Sequence, residues 1–173
     1  MNDSPPPPLK RPRDRIGRAL DAVCRSFAIG GGLVLAAMAL MMVFSIARRA
    51  LAGIPVQGDF ELVQYATAIA VAMFLPFCQM VRGHIIVDFF TMRVGERPRA
   101  VLDALAGVLL AVAAFLVAWR LGVGMGELRG NGDSSMILGV PTWYPYLAMV
   151  PSFFLLGCAA LYTAAEGLLR VRP

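Results

Sequence analysis

Charged residues are missing from three long stretches of the chain and one shorter one. Residues 27–47 (FAIGGGLVLAAMALMMVFSIA) are 21 positions without a charge, 62–81 and 146–165 are 20 each, and 104–119 are 16. At roughly 1.5 Å per helical residue, about 20 residues cross a hydrocarbon core some 30 Å thick. The pattern predicts an all-α integral membrane protein with four transmembrane helices over about 27–47, 62–81, 101–122 and 143–165. These make one membrane domain, 23–170, behind a Pro/Arg-rich tail, 1–22. Asp103 and Arg120 bracket the shortest run. A central Arg or Asp costs about 2.5–3.5 kcal/mol on insertion scales, so both are expected near the interfaces, with the Arg120 stem snorkelling outward.

The first run is longer than the 7–15 apolar residues expected of a secretory leader and follows 26 residues, so it is read as a retained helix. Lys and Arg then set the orientation. The N-terminal tail carries Lys10, Arg11, Arg13, Arg15, Arg18 and Arg25, the middle loop Arg82, Arg93, Arg97 and Arg99, and the C-terminal tail Arg170 and Arg172. Only Arg48, Arg49, Arg120 and Arg129 belong to the other side. The positive-inside rule therefore predicts both termini and the middle loop in the cytoplasm, N-in and C-in. Trp119, Trp143, Tyr144 and Tyr146 are expected in an aromatic belt at the opposite, outer interface.

Composition agrees with a membrane protein, at 58% hydrophobic and 16% charged residues. The net charge of +5 is accounted for by arginines facing anionic lipid, and no nucleic-acid motif accompanies it. Cys24, Cys78 and Cys158 form no Cys-x-x-Cys pair, and one histidine, His84, cannot supply paired haem ligands. With no nucleophile elbow, phosphate loop or dinucleotide fingerprint either, the chain is expected to use no cofactor and to be no enzyme.

The polar residues inside the runs are groups such as Gln64, Thr67 and Gln79, without the ionisable residues that mark a transport pathway. Pro76 and Pro151 are read as kinks satisfied by neighbouring helices. Small residues four apart, at Gly32 and Ala36, Ala66 and Ala70, Gly107 and Ala111, and Ala114 and Ala118, suit close helix contact, within this chain or with a partner.

Two segments invite closer reading. The stretch MVRGHIIVDFF at 80–90 places His84 and Asp88 at i and i+4, adjacent on a helix face. A short interfacial helical segment after the second span is expected there, with Ile85, Ile86, Phe89 and Phe90 facing lipid or protein and Arg82 reaching phosphate or carboxylate. Glu61, after Asp59 at a helix start, either complements the helix N-terminus or contacts another subunit. Arg129, Asn131 and Asp133 lie in an outer loop, as a binding contact or as an exposed Asn-Gly-Asp turn.

Residues 60–88, FELVQYATAIAVAMFLPFCQMVRGHIIVD, resemble the second helix and following loop of the small membrane subunit of tripartite ATP-independent periplasmic (TRAP) transporters. The matching positions are Glu61, Arg82, Gly83, His84, Ile85, Val87 and Asp88. Residues 138–156, LGVPTWYPYLAMVPSFFLL, are similar to the entry into that family's fourth helix, through Leu138, Gly139, Pro141, Trp143, Tyr146 and Pro151. Ser152 stands where a glycine is expected, and Phe60 where an aromatic, often tryptophan, is usual. The resemblance implies an inner-membrane protein without a substrate site of its own. Its implied partners are a large permease subunit that moves organic acids with sodium, a transiently docking periplasmic binding protein, and membrane lipids. Glu61, Arg82, Gly83, His84, Asp88, Pro141 and Trp143 become the candidate partner contacts. Two other readings fit the spans without the resemblance: an anchor subunit of a different complex, or a small autonomous channel.

Overall fold

The computed structural model describes residues 15–53, 57–81 and 96–169. Four α-helices follow one another: α1 Arg15–Ala52, α2 Asp59–Met80, α3 Glu96–Asn131 and α4 Tyr144–Leu169. All four are long and apolar enough to cross a membrane. The predicted interfacial segment, with Arg82, Gly83, His84 and Asp88, lies outside the described residues.

The helices form an open row. α1 packs on α2, α2 on α4, and α4 on α3, with only slight contact between α1 and α4. The connections α1–α2 and α3–α4 share one end of the row, here the loop end. The start of α1, the end of α2, the start of α3 and the end of α4 share the other, the terminal end. At about 1.5 Å per residue, α1 and α3 are some 57 and 54 Å long, well beyond a core of roughly 30 Å.

Small residues set each close approach. On α3, Ala104, Gly107, Ala111, Ala114 and Ala118 are buried at alternating spacings of three and four, the seam of two helices crossing at a shallow angle. A Cβ at Gly107 would lie 2.9 Å from the Ala164 Cβ and 3.3 Å from the Ala160 carbonyl. On α1 the buried positions are Gly17, Cys24, Gly31 and Ser45, with Met38 accepting a 3.6 Å bond from Thr67. Of these, Gly31, Met38 and Ser45, seven apart, meet α2 at Met73, Thr67 and Asp59, the spacing of a line that follows a supercoiled neighbour. The expected Gly32 and Ala36 pair is not at that contact: Ala36 is exposed and nothing lies within 4 Å of a Cβ built on Gly32. Its neighbour Gly31 makes the approach instead, against Met73 and the Ala70 carbonyl.

Both prolines sit inside continuous helices. Next to Pro151, the fully buried Ser152 turns its hydroxyl back to donate to the Ala148 carbonyl at 2.7 Å. The hydroxyl is thus satisfied within α4, where a glycine would have carried no side chain.

Near the terminal end, the Gln79 amide donates to the Thr163 hydroxyl at 2.9 Å, and that hydroxyl donates to the Ala160 carbonyl at 3.0 Å. This buried bond joins α2 to α4. Gln79→Ala is expected to lower unfolding stability in detergent by about 0.6–1.7 kcal/mol, the range for interhelical bonds in membranes. An unchanged unfolding midpoint would show the bond to be energetically idle.

Candidate functional site

A cluster of polar contacts lies at the loop end. α3 stops there because Gly132, at φ 70°, takes the left-handed position past the helix, and the Asp133 N–H reaches back to the Leu128 carbonyl at 3.2 Å. Asn131-Gly132-Asp133 is therefore a helix stop. The chain then folds into a narrow arm. Ser134 bridges Pro141, the Ser135 N–H donates to the Val140 carbonyl at 2.8 Å, and the Val140 N–H donates to the Ser135 hydroxyl at 3.3 Å. Gly139, at φ 65°, closes the tip, which carries Met136, Ile137 and Leu138.

Glu61 holds this tip. Its two carboxylate oxygens accept the backbone N–H of Ile137 at 3.0 Å and of Leu138 at 3.1 Å. The residue before α2, Gly58, is buried at φ 80°, and a Cβ there would collide with the Leu138 side chain. Gly58 thus serves two needs at once, a left-handed backbone and room for Leu138. The two sequence patches that carry the family resemblance meet here, Glu61 from one and Leu138 from the other. Glu61 lies in the first turn of α2, as expected, but its carboxylate is spent on the arm of its own chain.

Neighbouring contacts fix the same level. Asp59 accepts a 3.0 Å bond from the hydroxyl of Ser45, tying α2 to α1. Trp143 packs edge-on against Tyr144, with centroids 4.6 Å apart, and the Arg129 guanidinium lies 5.2 Å from the Trp143 ring centroid. That cation–π contact joins the end of α3 to the start of α4. Pro141 accepts the N–H of Tyr144 at 3.2 Å, turning the arm into α4. Sequence reasoning did not find the Ser45–Asp59 link or the place of Gly58. Only the glycine directly before an acidic helix start hinted at the latter.

The aromatic belt is narrower than expected. α3 and α4 run antiparallel in constant register: Gly107 meets Ala164, Phe115 meets Gly157, and Gly124 meets Tyr146. Trp119 therefore lies deeper than Trp143. It lines an apolar groove with Phe115, Val123, Val150, Pro151 and Phe154. Since α3 continues to Asn131, its apolar run does not end at Trp119, and Arg120 is level with Pro151 rather than with the belt.

Among the described residues, no buried side-chain nitrogen or oxygen lacks a partner. The contacts at the loop end brace backbone and helix ends, with Glu61 holding the arm and Asp59 tying α2 to α1. The family model for the DctQ component of tripartite ATP-independent periplasmic transporters matches residues 38–170, which include all of α2, α3 and α4. No curated protein and no solved structure matches the chain. With four membrane-length helices and a match over most of its length, the chain belongs to the DctQ family, the small, noncatalytic permease component of TRAP transporters in the inner membrane.

Proposed function

We propose that this chain is the scaffold subunit of a sodium-coupled TRAP transporter for organic acids, docking the large permease subunit in the membrane. The observation that carries this reading is the open row. Most of each membrane-length helix is left uncovered by the chain itself, with 6% of the apolar stretch buried in α1, 17% in α2, 28% in α3 and 33% in α4. The flanking α1 and α3 expose large side chains such as Leu33, Leu40, Phe44, Leu109, Val112 and Leu116. Lipid can cover such faces, and the described residues set no ionisable path through the interior of the row, which supports a role other than carrying the solute itself. Its value to a transporter is as a rigid membrane wall.

In this reading the termini and the α2–α3 connection face the cytoplasm, where most of the Lys and Arg lie, and the loop end faces the periplasm. The braced arm at 134–141 then offers the periplasmic binding protein a fixed surface for transient contact. Arg82, Gly83, His84 and Asp88 belong to the cytoplasmic side, as a contact with the large subunit or lipid headgroups.

Pull-down of the tagged chain from its native membrane in mild detergent tests the proposal. One large multispan permease should be recovered in stoichiometric amount, and the chain alone in liposomes should pass no solute. Recovery of the chain by itself, or with redox subunits, would overturn the scaffold assignment. Replacing His84 and Asp88 together by alanine should lower retention or uptake without changing which solute is chosen.

A further inference from the structure

Arg120 has no hydrogen-bond or ion-pair partner among the described residues, and its side chain is exposed on the α3 flank of the row. Its depth follows from the register. Phe115 against Gly157 and Gly124 against Tyr146 bracket it, so that it stands level with Pro151. That is about one and a half turns, roughly 8 Å, inside Tyr146. The belt of Arg129 and Trp143 lies farther out still. Arg120 is thus a charge within the hydrophobic zone, on a surface that the described residues leave exposed.

Snorkelling is a poor remedy for this residue. The Cα–Cβ bonds of a helix tilt toward its N-terminus. α3 begins at the terminal end, so the Arg120 stem leaves the backbone toward the middle of the membrane, away from the nearer interface. A protein partner removes the difficulty without moving the stem. Beside Arg120, the groove between α3 and α4, about 680 Å³, is lined by Trp119, Val123, Pro151 and Phe154 over an edge-to-face Phe115–Phe154 pair. An apolar helix laid along this flank would fill the groove and set its own side chains opposite the guanidinium.

We infer that the α3 flank is the docking face for the large permease subunit, and that Arg120 pairs there with a carboxylate on a membrane helix of that subunit. The inference rests on the scaffold reading and adds the face and the chemistry. A guanidinium offers a fork of donors that a carboxylate accepts in two parallel bonds, so the pair would fix the register of the two subunits as well as hold them.

The test is co-purification of the complete transporter with wild-type chain, Arg120→Leu and Arg120→Lys. Wild type should retain the large subunit. Arg120→Leu should lose at least about tenfold of it, as expected when one member of a desolvated charge pair is truncated. Arg120→Lys should recover part of the retention. The unfolding midpoint of the isolated Arg120→Leu chain should not fall, because Arg120 has no polar partner among the described residues. In the presence of Arg120, single cysteines at Leu116 and Val123, exposed one turn to either side, should crosslink to the large subunit once Cys24, Cys78 and Cys158 are replaced by alanine. Wild-type retention by Arg120→Leu, or absence of both crosslinks, would overturn the docking face and leave the scaffold reading standing. A wild-type chain that retains no large subunit would overturn both.

Discussion

Gly107→Leu is expected to destabilise the row by roughly 1–3 kcal/mol or more, the cost of forcing a large side chain into a packed contact. Even the first carbon of the new side chain would lie 2.9 Å from the Ala164 Cβ and 3.3 Å from the Ala160 carbonyl. Neither is the far end of a flexible chain. The helices must separate, and separation loosens the seam along which Ala104, Ala111, Ala114 and Ala118 are buried. In a membrane this loss is not softened by hydrophobic collapse, because lipid tails are as apolar as the side chains and helix association depends on close packing. Gly32→Leu provides the contrast. Nothing lies within 4 Å of its Cβ, so the fold should change by no more than about 0.5 kcal/mol. Equilibrium unfolding of the two purified variants in one detergent decides the matter. Equal midpoints would mean that the α3–α4 seam does not hold the row together.

That pair of variants also marks how far the sequence could be read. Four spans were legible because bilayer thickness imposes a length on charge-free runs. The choice of faces was not, because alanine and glycine recur so often that pairs four apart arise on any face. The spacing of seven through Gly31, Met38 and Ser45 was the better signal, since a repeated heptad spacing keeps one line of a helix against a neighbour around which it coils. The length of α3 was hidden by Arg120, whose insertion cost argued for a span ending there. The glycine past Asn131 is the actual stop, where a left-handed residue lets Asp133 cap the last turn. Arg120 therefore stands in the apolar zone against the local rule, and such violations are where a function outside the isolated fold is to be sought. Glu61 was legible as important but not as to its partner. Ile137 lies 76 positions away, and no local spacing rule connects them.

Glu61→Ala should free the arm at the loop end while leaving the four helices in place. Two backbone N–H groups, of Ile137 and Leu138, lose their acceptor, and the arm keeps only its own internal bonds and the Leu138 contact over Gly58. Amide exchange at 137 and 138 should rise on the order of tenfold, as for a segment moved to the low-stability end of a structure. Proteolysis near Met136, fully exposed at the tip, should follow. Glu61→Gln is the discriminating variant, since an amide keeps one acceptor oxygen of the same shape but loses the second acceptor and the charge. Its exchange rates should fall between those of wild type and alanine. A carboxylate acting only on the positive end of α2 would behave differently. Both variants would then weaken the first turn, where Asp59 remains as a second acidic residue, and the arm would exchange at the wild-type rate. Protection at 137 and 138 against protection at the first turn of α2 thus separates a clamp between the two family-like patches from a simple helix-end charge.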